Sequence, residues 1–272
     1  MGGEKPDAVS ADGPAYKVNV LDRAITVLQA FTHKAPRQTL AQLSRATGLH
    51  RSTVLRFLST LEHAGFVVRD ESGAYSLGYE IIAMAEVART GSGISDWARP
   101  VMIEVGEALN ETVVLSVRSG DHRVDIEQIV AKRPIRRVVA LGERKPLTVG
   151  APSMAFMAHL PMDEVRGIVA RVGAETDEKW GPFDAAAYLD RLEAVRRDSL
   201  RVMESQFDLG QYSGTIGIAG PVFGRRGEVV AAFGVTIPMS RMSDEFRTAA
   251  MAAVQEGCAA ISARIGSRVN AA

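Results

Sequence analysis

A short polar group opens a segment whose apolar residues recur at helical spacing. The polar group consists of Arg51, Ser52, Thr53 and Arg56. Val54, Leu58 and Leu61 follow at steps of four and three residues, which predicts a helix over Arg51–Ala64 with these three facing a core. The polar group then lies on or near the exposed side of the amino-terminal end. Arginine can donate two hydrogen bonds to a guanine edge, and serine or threonine can reach bases or phosphates, so the pattern predicts a helix that reads the major groove of DNA.

The segments on either side of this helix predict the helices and the hairpin that would hold it in position. Apolar residues at three- and four-residue steps predict helices over Val20–Thr32 and Leu40–Thr47. Two short strands, Phe66–Arg69 and Ala74–Leu77, flank a polar turn that contains a glycine, which indicates a hairpin. The order is helix, helix, turn, helix, hairpin. We therefore predict a winged helix-turn-helix over residues 18–78, mainly α with a β-hairpin wing, after a disordered tail over residues 1–17.

Four more residues are predicted to touch DNA beside the reading helix. Thr39 would hold the amino end of the second helix against a phosphate, with Gln42 in the first turn of that helix. Arg69 and Tyr75 lie on the hairpin, within reach of the adjacent DNA backbone. Two of them have a plainer alternative. Thr39 caps a helix whether or not DNA binds, and Tyr75 could only pack the wing.

Charge is unevenly distributed along a chain whose formal net charge is zero. Between residues 17 and 78 there are eight basic residues and four acidic ones, so this segment carries a net charge of +4 and the remainder carries −4. The basic residues are Lys17, Arg23, Lys34, Arg37, Arg45, Arg51, Arg56 and Arg69, and the acidic ones are Asp22, Glu62, Asp70 and Glu71. A positive domain in a neutral chain is typical of a module that binds double-stranded DNA.

Other function classes find little support in the sequence. The single cysteine, Cys258, excludes an intrachain disulfide framework, and no apolar run is long enough for a bilayer, so we expect a cytoplasmic protein without a membrane partner. The five histidines lack ligand spacing, and the GAPSMA segment is not a nucleophile elbow. We expect no catalytic residue, no metal and no cofactor. An enzyme remains the rival class.

The rest of the chain predicts a second domain. A helix over Tyr79–Thr90 and the glycines of residues 91–93 predict a linker over 79–93, followed by a domain over 94–270. Hairpins at both ends of this domain enclose helices, which favours an α+β fold with a mainly antiparallel sheet. The predicted helices cover Asp96–Asn110, Pro152–Leu160, Asp163–Val172, Ala185–Leu200 and Ser243–Val269, and the predicted strands cover Thr112–Arg118, Val124–Val130, Arg137–Leu141, Arg201–Ser205, Gly214–Phe223 and Glu228–Pro238.

Nearly the whole chain after the tail resembles the IclR family of bacterial regulators. The resemblance is carried by VLDRAITVLQAF (20–31), TLAQLSRATGLHRSTVLRFLSTLEHAGFVVRD (39–70) and GAYSLG (73–78), and then by GERKPLTVGAPSMAFMAHLP (142–161), GIAGPVF (217–223) and VVAAFGVTIPMSRM (229–242). It implies a GAF-like effector domain, a linker helix used in dimerisation, and a homodimer or homotetramer on a palindromic operator. Repression is the expected mode.

The resemblance also implies where a small-molecule effector would bind. Carried over to this chain, the effector-binding positions are Arg137, Gly150, Ala151, Pro152, Ser153, Asp208, Thr215, Gly217, Gly234 and Thr236. The chain departs from the family in having Ser153 and Met154 where relatives often carry a glycine followed by a basic residue. Phe207, Tyr212 and Phe233 suggest a partly apolar, aromatic ligand, and Arg137 suggests an acidic one.

Some of these assignments have alternatives that the sequence leaves open. Arg137 could be a surface residue of its strand, and Asp208 could serve only to form a turn. A further rival is a winged-helix regulator whose second domain oligomerises and binds no effector.

Overall fold

A computed structural model describes residues 18–197, 202–207 and 214–266 of the 272 in the chain. The chain divides into two compact units, with the boundary between Ala88 and Arg89. Each unit has its own hydrophobic core.

The first unit has the predicted order of helices and hairpin. Its elements are α1 (Asn19–Gln29), α2 (Leu40–Thr47), α3 (Arg51–His63), β1 (Val67–Arg69) and β2 (Tyr75–Leu77), followed by α4 (Tyr79–Ser92), which runs across the boundary. β1 and β2 pair antiparallel, as expected of a wing. The predicted winged helix-turn-helix fold is confirmed.

Local sequence sets the ends of α2 and α3. The Thr39 hydroxyl accepts a hydrogen bond from the Gln42 backbone N–H, while the Gln42 side chain accepts one from the Thr39 N–H at 2.8 Å, so the two form a capping box. Gly48 ends α2 with φ of 68°, a conformation that glycine adopts at little cost. His50 then caps α3 through its ring, which accepts from the Ser52 N–H. The tight turn between the two helices follows from these residues.

The core of the first unit fixes the outward face of α3. Val54 and Leu58 are fully buried and Leu61 packs partly against them, so the predicted inward face of this helix is confirmed. The cluster also includes Val27, Phe31, Leu43, Val67 and Tyr75. Gln38 connects the end of α1 to the wing: its side-chain amide donates to the Ala30 carbonyl oxygen, and its backbone pairs with Tyr75.

The turn of the wing is organised by Asp70. Its carboxylate accepts hydrogen bonds from the Ser72 hydroxyl at 2.6 Å and from the Ser72 and Ala74 backbone N–H groups, and it pairs with Arg37. The bond from Ser72 and the pairing with Arg37 lower the pKa of Asp70 from its ordinary value to about 2. The carboxylate therefore stays ionised at neutral pH and holds the turn in one conformation.

The second unit is an antiparallel sheet covered by helices on both faces. Its helices are α5 (Ile94–Leu109), α6 (Gly150–Met157), α7 (Met162–Trp180), α8 (Ala185–Arg197) and α9 (Asp244–Gly266), and its strands are β3 (Thr112–Ser119), β4 (His122–Ile129), β5 (Arg144–Pro146), β6 (Met203–Phe207), β7 (Thr215–Phe223) and β8 (Val229–Pro238). The strand order is β5-β4-β3-β8-β7-β6, and every described pairing is antiparallel. One apolar cluster joins α5 and α9 to the sheet, and a second joins α6, α7 and α8 to it. The predicted α+β class is confirmed.

The strand predicted at Arg137–Leu141 is wrong, and a strand that was not predicted follows it. Residues 136–140 have no regular secondary structure and pair with no strand among the described residues. Instead, the Gln128 side chain donates to the Val139 carbonyl oxygen at 2.8 Å and accepts from the Val139 N–H at 3.0 Å, while the Thr112 hydroxyl donates to the Arg137 carbonyl oxygen. Side chains thus satisfy the backbone groups that a neighbouring strand would have satisfied. The short strand β5 takes the edge position instead.

Helix α7 extends beyond its predicted end at Val172 and reaches Trp180. The added turns carry few apolar residues, so no helical periodicity predicts them. Thr176 is nevertheless buried and its hydroxyl lies 2.5 Å from that of Thr148. The extension brings Trp180 to the sheet, where it lines a cavity. Among the described residues, no helix has the length and apolarity needed to cross a membrane.

Gly234 marks a close approach of two strands. A Cβ at this position would lie 2.4 Å from the Ile218 carbonyl oxygen and 2.7 Å from the Ala219 Cβ. We expect Gly234→Ala to lower the free energy of unfolding by about 1–3 kcal/mol, because the sheet must shift to admit the methyl group. Urea denaturation measures this change. Gly91→Ala is the control, since nothing lies within 4 Å of a Cβ there; an equal loss of stability in both variants would contradict the prediction.

Candidate nucleic-acid interface and ligand cavity

The amino-terminal end of α3 presents its polar residues away from the core. Arg51, Ser52 and Arg56 are exposed, and Thr53 is half-buried beside the fully buried Val54. The Ser52 hydroxyl lies 2.8 Å from the ring nitrogen Nδ1 of the capping His50, so local structure orients this hydroxyl. Two guanidinium groups five residues apart near the start of a packed helix have the chemistry to contact base edges.

The start of α2 adds a second polar surface to the first unit. Thr39 and Gln42 are exposed, and their capping box engages the Thr39 hydroxyl and the Gln42 side-chain oxygen. The Gln42 amide nitrogen keeps both of its N–H groups for an outside acceptor. The first N–H groups of a helix attract phosphate, so this end of α2 suits a backbone contact.

On the wing, the two residues predicted to contact DNA differ in exposure. Arg69 is exposed, with its guanidinium 5.5 Å from the centre of the Tyr75 ring. Tyr75 is only 3% exposed and belongs to the apolar core of the unit. The prediction of Tyr75 as a DNA contact is therefore wrong: its ring packs the wing and supports Arg69, because the register of β2 turns it inward.

A cavity lies on the sheet of the second unit, on strands β3, β4, β5, β7 and β8. Its empty space measures about 530 Å³, part of which opens to solvent. Helices α6 and α7 and the irregular segment 136–140 complete its walls. The apolar part of the lining consists of Val114, Val139, Val149, Pro152, Trp180, Ile218 and Val235. A concave site whose lining combines apolar side chains with a few charged groups is typical of a site for a small organic molecule.

Five of the residues predicted to contact an effector line this cavity. They are Arg137, Pro152, Gly217, Gly234 and Thr236. Strand register explains why three of them meet, since Gly217 pairs with Thr236, and Gly234 lies two residues along the same strand and therefore on the same face. Val114 of β3 pairs with Gly234 and extends this face across a third strand.

The other predicted effector positions lie elsewhere. Gly150, Ala151, Ser153 and Thr215 are outside the lining; the first three open α6, and Ala151 and Ser153 are fully buried. The Ser153 hydroxyl instead bonds to Arg123 and to the Pro146 carbonyl oxygen. Asp208 and Tyr212 lie outside the described residues, and of Phe207 only the backbone is described. Phe233 packs in the α5 and α9 core, away from the cavity.

Nine of the fourteen cavity residues were missed by the sequence reasoning, and three of them are charged. Arg123 and Asp125 belong to β4, Lys145 belongs to β5, and Trp180 ends α7. Arg123 and Asp125 alternate with Val124 and Ile126, and that alternation was the available signal. In a sheet with helices on both faces, alternating charges in a strand must point into the protein.

The three charged side chains form a buried cluster with two serines. Arg123, Asp125 and Lys145 are 5%, 1% and 2% exposed. Lys145 Nζ donates to Asp125 Oδ2 at 2.7 Å, and Arg123 Nη1 donates to Asp125 Oδ1. Arg123 also donates through Nε to Ser153 at 3.0 Å, and Ser116 donates to Asp125 Oδ1 at 2.6 Å. One carboxylate thus holds two cations against the cavity.

The charges in this cluster perturb one another. Burial alone raises the pKa of Asp125, but the adjacent Arg123 guanidinium and Lys145 ammonium outweigh it, so the pKa lies below its ordinary value. Burial lowers the pKa of Lys145 by more than the Asp125 carboxylate raises it. The cluster therefore keeps the Asp125 carboxylate ionised, while burial opposes the charge of Lys145. Within the described ranges, no group of His, Cys, Asp and Glu residues is arranged to hold a metal ion.

Comparison with known proteins assigns both units. Residues 20–71 match the IclR helix-turn-helix domain, and residues 88–263 match the bacterial transcriptional regulator IclR C-terminal domain. The chain is 28% identical over 244 residues to the HTH-type transcriptional regulator KipR of Bacillus subtilis, covering 90% of this chain and 96% of the relative. It is 26% identical over 226 residues to the HTH-type transcriptional repressor AllR of Escherichia coli, covering 83% and 82%.

A solved structure gives the same assignment for the fold. An IclR transcriptional regulator from Alicyclobacillus acidocaldarius matches with a TM-score of 0.78 and 26% identity, covering 92% of this chain and 100% of that one. The two family models together span both compact units, and the helix order of the first unit and the curled antiparallel sheet of the second agree with them. The chain therefore belongs to the IclR family of helix-turn-helix transcriptional regulators.

Proposed function

We propose that this regulator is a repressor that binds a palindromic operator as a homodimer or a homotetramer, and that its affinity for the operator changes when a small molecule binds in the cavity of its second unit. The proposal is carried by the amino-terminal end of α3, where exposed arginines stand on a packed helix in a domain with excess positive charge. The relative AllR is named a repressor, which supports this mode of regulation.

The proposed DNA contacts fall into two kinds. Arg51, Ser52, Thr53 and Arg56 read base edges in the major groove, as residues at the start of a recognition helix do. Thr39, Gln42 and Arg69 contact phosphates on either side, and these contacts fix the position of α3 without reading sequence. Tyr75 is not among them, since its ring is buried.

Exposed apolar residues support the proposed homodimer. On α1, Val20 and Leu21 are 67% and 59% exposed, and on α4, Ile82 and Val87 are 65% and 71% exposed. Apolar side chains grouped in this way on helices usually pack against a partner chain. A second copy related by twofold symmetry would cover the same residues on both chains and would double the reading helix, which matches a palindromic site.

The cavity supports the proposed control by a small molecule. Residues from five strands, two helices and the irregular segment 136–140 converge on it, and its lining combines an apolar wall with a few charged groups. The relatives are named as transcriptional regulators, which supports ligand sensing rather than turnover, and we assign the protein no catalytic role. A bacterial regulator of this kind would act in the cytoplasm, where the chromosome lies.

The test is a footprint and mobility-shift assay with full-length protein and the intergenic DNA beside its own gene. We expect a protected palindrome and a log–log slope of affinity against salt near −0.9 for each phosphate neutralised. Candidate metabolites are added in a second series, in which an effector should change the protected fraction. Failure to retard any duplex at low ionic strength would overturn the proposed function.

A further inference from the structure

The carboxyl-terminal half of α5 exposes a strip of acidic and apolar side chains. Ile103, Glu104 and Glu107 are exposed, with Ile103 at 39%, and Glu107 lies three and four residues after the other two, on the same side of the helix. The opposite side of α5 packs into the core of the second unit. Glu104 pairs with no cation in the part of the chain that the structure describes. These three residues form the acidic half of a larger surface.

The segment that follows β4 exposes the opposite charge. Lys132, Ile135 and Arg136 are exposed, and Ile135, at 75%, is the most exposed large apolar side chain described in the second unit. Val138 is 55% exposed in the same segment, so the exposed apolar side chains here form a group. Arg136 donates to the Arg133 carbonyl oxygen at 2.9 Å, but no described carboxylate pairs with its guanidinium. Lys132, Ile135 and Arg136 form the basic half of the surface.

The two halves adjoin at an ion pair. Lys132 Nζ donates to Glu107 Oε1 at 2.9 Å, and the Lys132 backbone N–H donates to the side chain of Asn110 at the end of α5. The acidic and basic halves therefore form one continuous surface. Because Lys132 and Glu107 compensate each other, one uncompensated charge remains on each half, Glu104 on the acidic half and Arg136 on the basic half.

Side-chain hydrogen bonds hold the basic half in one conformation. Arg241 donates to the Ile135 carbonyl oxygen at 3.1 Å, and the same guanidinium is held by the fully buried carboxylate of Glu111. Two residues further along, the Arg137 carbonyl oxygen accepts from the Thr112 hydroxyl at 2.6 Å. The backbone that presents Ile135 to solvent is thus already fixed, and a partner could bind there without first ordering the segment.

A surface with two oppositely charged halves is complementary to itself. A partner of uniform charge, such as a nucleic acid, would be attracted by one half and repelled by the other. A second copy related by twofold symmetry instead places the acidic half of each chain against the basic half of the other. An exposed ion pair contributes little by itself in water, so the isoleucines would supply the burial of apolar surface while the charges fix the orientation.

From this arrangement we infer that the acidic and basic halves form an isologous contact between two copies of the second unit. Glu104 of each copy pairs with Arg136 of the other, and Ile103 and Ile135 are covered. The inference rests on the proposed function for the dimer that forms through α1 and α4. Because the new contact lies on a different unit, it joins two such dimers, and the full-length protein is a homotetramer.

Sedimentation velocity of the full-length protein over a range of concentrations tests this contact. We expect the unmodified protein to reach the mass of four 29.2 kDa chains at low ionic strength, and to dissociate towards dimers as salt screens the charges. Arg136→Glu and Glu104→Arg each oppose like charges at two places in the contact, so each should raise the dimer–tetramer dissociation constant by at least about tenfold. The double variant exchanges the two charges and should restore the tetramer.

Arg166→Glu is the matched control for the charge reversals. Arg166 is exposed on α7, outside both halves of the surface, and its substitution changes the charge of the chain by the same amount as Arg136→Glu. A further variant, Ile135→Ser, adds no charge and should also weaken the tetramer, because it removes an apolar side chain that the contact covers. This variant decides the question if a charge reversal fails to fold.

Three results would overturn the inference. They are a dimeric mass at every concentration, charge reversals that weaken the tetramer no more than Arg166→Glu does, and a double variant that is no more tetrameric than the single ones. Any of them would leave the surface to a different partner. Failure here is distinct from failure of the proposed function, because a dimer without this contact still presents two reading helices to one palindrome. A mobility-shift assay with Arg136→Glu measures that binding separately.

Discussion

Arg51→Ala is expected to weaken operator binding by about 1–3 kcal/mol, or roughly fivefold to 150-fold, and to relax the base preference at one position in each half-site. The side chain is exposed at the first residue of α3, and a guanidinium there can donate two parallel bonds to a guanine. Arg56→Ala, five residues further along α3, should have the same kind of effect. Competition assays with operators substituted at single positions measure both quantities.

The control for this prediction is Arg45→Ala, which removes the same charge from an exposed position in the last turn of α2. A phosphate contact or a solvated charge at Arg45 would change affinity alike for every sequence and reduce the salt slope by no more than about one. Arg51→Lys separates charge from geometry, because lysine cannot make the paired bonds of arginine. Unchanged base preference in both Arg51→Ala and Arg56→Ala would show that the reading face lies elsewhere.

The first unit was predictable because local signals agree with one another. Thr39 and Gly48 define the ends of α2, and the spacing of Val54 and Leu58 fixes which side of α3 faces outward. These signals act over fewer than about five residues, within the reach of capping and helical periodicity. The error at Tyr75 has a different origin: whether an aromatic residue of a short strand faces inward depends on the partner strand, and three residues give too little alternation to decide it.

The second unit was predictable in its elements and less so in its cavity. The alternation of side chains and the turn residues predicted most of β3, β4, β7 and β8. The resemblance to the IclR family predicted that Arg137, Pro152 and Thr236 belong to one site, and all three line the cavity. The charged cluster escaped notice because no local rule connects residues 123, 125 and 145. Their meeting depends on the pairing of β4 with β5, and β5 is too short to be predicted from its composition.

The segment 136–140 shows why a β-rich composition can mislead. Val138 and Val139 have the side chains of strand residues, but the backbone of Val139 is bound by the Gln128 side chain instead of a neighbouring strand. A glutamine amide offers the same donor and acceptor as a peptide group, so it satisfies the backbone at one residue and leaves no ladder to extend. The sequence does not show that the Gln128 side chain takes the place of a neighbouring strand, because Gln128 is distant along the chain and its role depends on the tertiary fold.

Asp125→Ala is expected to lower the free energy of unfolding of the second unit by about 3–5 kcal/mol, the largest effect on stability among these variants. The substitution leaves Arg123 and Lys145 buried side by side without the carboxylate that both now contact, and it deprives the Ser116 hydroxyl of its acceptor. Denaturation in urea, followed by far-ultraviolet circular dichroism, measures the change.

Asp121→Ala is the matched control for this substitution. Asp121 forms an ion pair with Arg171, but the two side chains are 25% and 53% exposed, so water replaces the lost partner and the expected loss is about 1 kcal/mol or less. A second comparison tests the cause: adding Lys145→Met to Asp125→Ala should restore part of the lost stability, because it removes one of the two buried cations that Asp125 pairs with in the unmodified protein. If Asp125→Ala costs no more than Asp121→Ala, or if the added methionine destabilises it further, the buried charges do not depend on Asp125 as the geometry requires.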